Sequence, residues 1–128
     1  MTGLNPFPPE RSFDPWNFRT EAAVELSGAR LTGYRLEAVD GVVGKVTGAR
    51  LDPGDSYLVA TIGKLFGQET VLPAGIVNHV DRTERRVYLD RSRDEIKQAP
   101  RLRAEEYDDP HRRDALAGYY AHTPHPSR

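Results

Sequence analysis

Asp40-Gly41-Val42-Val43-Gly44-Lys45-Val46 decides the fold class of this chain. Asp40-Gly41 is a strong hairpin signal, because glycine tolerates positive φ. Arg35 to Val39 before it reads as a strand, and Val43 to Leu51 after it as the return strand. Gly44 and Gly48 inside the return strand mark a bulge or sharp coiling. Working outward, Asp52-Pro53-Gly54-Asp55 is a second turn. Tyr57 to Ile62 then has two apolar faces, Leu58, Ala60 and Ile62 on one and Tyr57 and Val59 on the other, which predicts a strand covered on both sides.

Gly63 to Gln68 reads as a loop with Leu65 and Phe66 at its tip. Glu69 to Leu72 is a strand ending at Pro73, which cannot donate to a ladder and belongs at a strand end or edge. Ile76 to Val80 and Arg86 to Asp90 are the last two strands, with Val87 and Leu89 inward and Tyr88 outward. Ser92-Arg93-Asp94-Glu95 has the form of a capping box. The short helix it opens ends near Ala99, before Pro100, and turns Ile96 and Ala99 to the core. Strands at this spacing predict a mainly β domain, a small, strongly bent antiparallel β-barrel with a short C-terminal helix.

The flanks read differently. Residues 1–32 form an irregular lead-in, within which Asp14-Pro15-Trp16 has the form of a helix start continued by Thr20 to Leu26. The barrel occupies residues 33–100. Residues 101–128 form a polar tail in which Asp114 to Ala121 makes a helical turn or two, its apolar side being Leu116, Tyr119 and Tyr120.

The 128 residues suit one domain with one modest core. With a formal net charge of −1, no global field draws the chain to nucleic acid or anionic lipid. The absence of cysteine excludes disulfides, thiol catalysis and thiolate metal sites. The N-terminus lacks the form of a signal peptide, and no apolar run approaches the roughly 20 residues of a membrane span, so no membrane insertion and a cytoplasmic location are expected.

Taken in order, Glu37 to Val46, Tyr57-Leu58-Val59, Leu72-Pro73-Ala74, Asp81, Val87 to Asp90 and Glu95 to Pro100 resemble the PRC-barrel domain. That domain is shared by the cytoplasmic part of the heavy polypeptide of the photosynthetic reaction centre and by a ribosomal small-subunit maturation factor. The flanks, Asp14-Pro15-Trp16 and Asp114 to Tyr120, look like the ends of bacterial stand-alone members. The resemblance implies a small bent barrel with a C-terminal helix. The membrane helix of the reaction-centre polypeptide and the extra N-terminal domain of the maturation factor have no counterpart here, so neither protein's role transfers directly.

Candidate chemistry is sparse. His111, His122 and His125 have metal-ligand residue types, but a polar tail explains them, and His79 reads as a satisfied or half-exposed strand histidine. Asp40, Asp81 and Asp90 sit at turns, where aspartate bonds local amides without catalysis. No nucleophile stands beside a base in a motif, so no enzyme activity, catalytic residue, metal, cofactor or small-molecule substrate is expected. Between Arg82 and Arg103 eight basic residues face four acidic ones. Arg82, Arg85, Arg86 and Arg93 therefore form an arginine face that reads either as solvated surface or as an RNA contact, with Tyr88 to stack a base. Leu65, Phe66, Trp16, Tyr119 and Tyr120 are more apolar than such segments need, and either cover the barrel's edges or bind a protein partner. The expected function is a non-enzymatic interaction module that self-associates as a homodimer. An RNA- or ribosome-associated factor is the alternative, and an accessory of a photosynthetic or electron-transfer membrane complex a third.

Overall fold

The computed structural model describes residues 13–19, 30–63 and 68–122. Among the described residues six strands form one sheet: β1 (Arg35–Ala38), β2 (Gly41–Asp52), β3 (Asp55–Ile62), β4 (Gln68–Pro73), β5 (Val77–Asp81) and β6 (Arg86–Leu89). Their order is β4-β3-β2-β1-β6-β5. Each strand lies within a residue or two of its sequence expectation, except that the long β2 begins at Gly41 itself.

The expected all-antiparallel closed barrel is corrected in two respects. First, β1 and β6 pair in parallel, so the sheet is mixed. The reason lies at one corner. Hairpins reverse the chain at β1–β2, β2–β3, β3–β4 and β5–β6, but β4 passes to β5 through a single 3₁₀ turn, Ala74–Ile76, with no reversal. An even number of reversals returns β6 in the direction of β1. Second, no ladder joins β4 to β5 among the described residues, so the sheet is not closed. These two edge strands are nonetheless separated by only the three residues of that turn, so the sheet curls until its edges approach there.

Register shifts between Leu36 and Glu37 on β1 and between Val46 and Gly48 on β2 coil the ladder at the predicted bulge region. Gly44 is required there: a Cβ on it would sit 2.1 Å from the Thr61 carbonyl oxygen.

The concave side holds the core, with Leu36, Val46, Leu58, Leu72, Ile76 and Val77 each at most 1% exposed. Each such side chain contributes roughly 1.5–3 kcal/mol. Helix α1 (Arg93–Lys97) starts at the capping box as predicted. The Glu95 amide donates to Ser92 Oγ at 3.1 Å and the Ser92 amide to Glu95 Oε1 at 2.7 Å. Ile96 is buried and Ala99 packs against the core.

The flanks close over the sheet. After α1 the chain runs along the free edge of β4, where the Val71 amide donates to the Leu102 carbonyl at 2.7 Å and the Leu102 amide to Thr70 Oγ1 at 3.1 Å. Helix α2 (Pro110–His122) has 13 residues, longer than the turn or two expected. Asp109 accepts the His111 amide at 3.0 Å and Pro110 takes the first helical position, an N-cap pair plain in the sequence. Leu116 and Tyr120, one turn apart, are its buried side.

Asp14-Pro15-Trp16 opens turns and not the expected helix, because its carbonyls serve the sheet. Pro15 accepts the Gly75 amide and Trp16 the Ser56 amide, both at 3.0 Å. This approach needs a glycine, since a Cβ on Gly75 would lie 2.2 Å from the Asp14 carbonyl oxygen. The continuation expected over Thr20 to Leu26 lies outside the described residues.

Candidate functional site

The inner residues of β1, β2, β5 and β6 (Leu36, Val46, Val80 and Val87) are buried, so the residues next to them along each strand point to the convex face. Register places those outward side chains in two transverse rows. The first runs Glu69, Thr61, Lys45, Arg35, Arg86, Asp81 from β4 to β5. The second runs Val42, Glu37, Tyr88, His79 from β2 to β5.

Three cations, Lys45, Arg35 and Arg86, are therefore direct neighbours across three strands. Arg86 donates to Glu37 Oε2 at 2.9 Å. Arg35 and Lys45 are not buried, and their side chains meet no acceptor among the described residues. In the β5–β6 turn, Arg85 holds φ at 59° and lays its guanidinium 5.5 Å over the Tyr34 ring, while its carbonyl accepts the Arg35 amide at 3.1 Å. Arg82 lies exposed in the same turn. The local acids are Glu37, Glu84 and Asp81, whose Oδ1 accepts the Glu84 amide at 2.9 Å. Beside the cations, Tyr88 and His79 stack with ring centroids 5.2 Å apart and planes 18° apart. His79 is exposed, more so than the satisfied or half-exposed strand histidine expected.

The predicted arginine face is thus rearranged. Arg82, Arg85 and Arg86 gather at one end of β6. Arg93 lies beyond its other end, where its amide donates to Asp40 Oδ1 at 2.8 Å and its Nε lies 3.7 Å from the same oxygen. That amide first, then the Asp40 backbone amide and the Arg93 charge, hold the Asp40 carboxyl below its ordinary pKa. Arg35 and Lys45 replace Arg93. Sequence reasoning passed over them because they stand ten residues apart, and only the bulged β1–β2 register makes them neighbours. Their signal was the outward, polar position of each in its strand.

The other half of the convex face is covered by the chain itself. Tyr57 packs against Tyr107 with centroids 4.6 Å apart, and Trp16 meets Tyr107 edge-on at 5.1 Å. Arg50 and Arg113 lie 5.7 and 5.3 Å from the Tyr107 ring centroid. The Tyr107 hydroxyl donates to Asp55 Oδ1 at 2.9 Å. Burial, reinforced by the Asp55 carboxylate, pushes that hydroxyl up to about 12.

Of the residues proposed to bind a partner, Trp16 belongs to this cover. Tyr119 is half-buried, and its hydroxyl donates to the Glu95 carbonyl at 2.6 Å. Tyr120 is 0% exposed and offers a partner no surface in this conformation. Leu65 and Phe66 lie outside the described residues. Exposed large apolar side chains, among the described residues, are Val39, Val42 and Leu51, near the two ends of β2.

Arg91 is the buried charge among the described residues. It is 0% exposed, pairs with the Asp90 carboxylate and donates to the Tyr120 carbonyl at 2.7 Å. Asp90 also takes Arg19, so it is the anchor of two arginines and not the turn aspartate expected. It ties the N-terminal segment and α2 to the end of β6. A cavity of about 350 Å³ opens between β4 and α1, lined by Ile62, Leu72, Ile96, Lys97, Arg101 and Tyr120 among others.

Among the described residues no three histidine or carboxylate side chains converge as metal ligands. His122 bonds the Gly118 carbonyl at 2.8 Å, His111 is exposed at the start of α2, and His125 lies outside the described residues. Among the described residues no helix is long and apolar enough to cross a membrane. No protein-family model matches the chain, and no curated protein does.

Proposed function

We propose that the chain is a PRC-barrel-type cytoplasmic binding module with no reaction of its own, and that it meets its partner through the half of the convex face that no described flank residue covers. The observation that carries this reading is the in-register trio Lys45, Arg35 and Arg86, two of which have no acceptor among the described residues. Like charges directly opposite each other destabilise a sheet. A partner that supplies the missing negative charge makes sense of the arrangement. The family reading is supported by the order of the turn, bulge and capped-helix motifs along one bent sheet.

Affinity purification of the native protein beside an Arg35→Glu, Lys45→Glu variant tests it. The partner recovered with the native protein is expected to be lost from the variant. Equal recovery from both places the interface elsewhere.

Self-association is a second reading, favoured by Val39 and Val42, which are 53% and 49% exposed beside the β1–β2 hairpin tip. Light scattering is expected to give a dimer that Val39→Lys, Val42→Lys reduces to a monomer. A native protein that stays monomeric at high micromolar concentration rejects it.

A further inference from the structure

We infer that the outer face of β2, β1, β6 and β5 binds single-stranded nucleic acid, its phosphates lying along Lys45, Arg35 and Arg86 and its bases against Tyr88, His79 and Val42. The inference rests on the outer-face reading and names the partner's chemistry.

Three observations meet on this one surface. The cation row has two members without an acceptor among the described residues, and Arg82 and Arg85 lie exposed in the adjoining β5–β6 turn. The row beside it holds the stacked Tyr88–His79 pair and the exposed Val42. The two rows are two residues apart along each strand on β1 and β6, which is about 7 Å. That puts a charged track and a stacking platform side by side, as binding of a flexible polynucleotide requires. A duplex keeps its bases stacked away from such a platform, so the single strand is the form that uses both rows. An acidic protein would satisfy the cations but would not use the stacking face that the aromatic pair offers beside them.

The negative charges on the face do not cancel the track. Glu37 is occupied by Arg86, Asp81 bonds the Glu84 amide, Glu84 lies in the turn, and Glu69 stands at the far end of the row on β4. The net charge of the whole chain is no obstacle either, since a local row of cations acts within a Debye length of about 10 Å at 0.1 M salt.

Fluorescence anisotropy with labelled oligouridylate and oligothymidylate tests the inference. Both are expected to bind at low salt, and three phosphate contacts predict a log–log salt slope of about −2. Arg35→Glu, Lys45→Glu is expected to weaken binding at least tenfold and to remove about two thirds of that slope. Both sites lie on the outer face, and circular dichroism checks that the variant keeps the native fold. Tyr88→Ala, or His79→Ala at the more exposed ring, is expected to lose about 5- to 150-fold with the slope unchanged. Equal affinity for the two oligonucleotides, or a preference for the ribose form, agrees with the inference. It is overturned if neither oligonucleotide binds, if the ring variants bind as the native protein does, or if polyglutamate competes as well as the oligonucleotides. The outer-face reading survives those results if Arg35→Glu, Lys45→Glu still abolishes recovery of a protein partner. Oligonucleotide binding that the charge variants leave intact overturns both.

Discussion

Around Tyr57 the convex face of the sheet is sealed by the chain's own flanks, and around Arg35 no described flank residue covers it. The two patches belong to one surface and are joined through β2. What separates them is side-chain chemistry. Tyr57 stands in register with Arg50 and Pro73, and its ring gives Tyr107 and Trp16 something to bury against. Arg35 stands between Lys45 and Arg86, and an apolar cover there would strip water from three cations with one carboxylate to compensate. Charge thus keeps one half of the face open as surely as aromatic area closes the other.

Removing the aromatic centre of the sealed half is the severest test of this contrast. Tyr107→Ala is expected to lower unfolding stability by about 3–5 kcal/mol in urea titration, as deletion of a buried aromatic does. A loss under about 1 kcal/mol would mean that the flank cover is not part of the folding unit.

A milder change separates the hydroxyl from the ring. The folded Tyr107 hydroxyl titrates near 12, above its ordinary 10. Its contribution is therefore complete below pH 10 and is lost as pH rises through about 12. Burial also raises Tyr119 and Tyr120, so three tyrosines drive alkaline unfolding in the same direction. Tyr107→Phe is expected to cost about 1 kcal/mol at neutral pH through the lost bond to Asp55. It should also flatten the fall in stability between pH 10 and 12. An unchanged alkaline profile would show that the Tyr107 hydroxyl is not what titrates.

The smallest effect has the opposite sign. Arg35→Glu in the bare half turns two like-charge neighbours into attractive pairs. It is expected to stabilise the fold, raising the melting temperature by on the order of 2 °C at low salt, an effect that fades at high salt. A fall would show that the cation row is not under repulsion, and would remove the main reason for reading it as a binding site.

Much of the fold was legible because its signals are local. The Asp40-Gly41 turn, the alternation of Val87 and Leu89 with Tyr88, and the Ser92–Glu95 box act over two to four residues, and each appears where the sequence places it. Asp109-Pro110 was equally local and was passed over, which left α2 too short. The arginine face was legible only as a run. Arg82, Arg85 and Arg86 come together because they share a turn and a strand end, whereas Arg93 is carried past the end of β6 into α1.

The strands, their turns, the bulge glycines and the capped helix follow from the amino-acid order alone, since each depends on backbone preferences and short-period burial. The parallel β1–β6 pair, the destination of the flank aromatics and the meeting of Lys45 with Arg35 and Arg86 do not. Those depend on whether a single 3₁₀ turn reverses the chain and on a one-residue shift in ladder register. Both are settled by packing across the whole sheet.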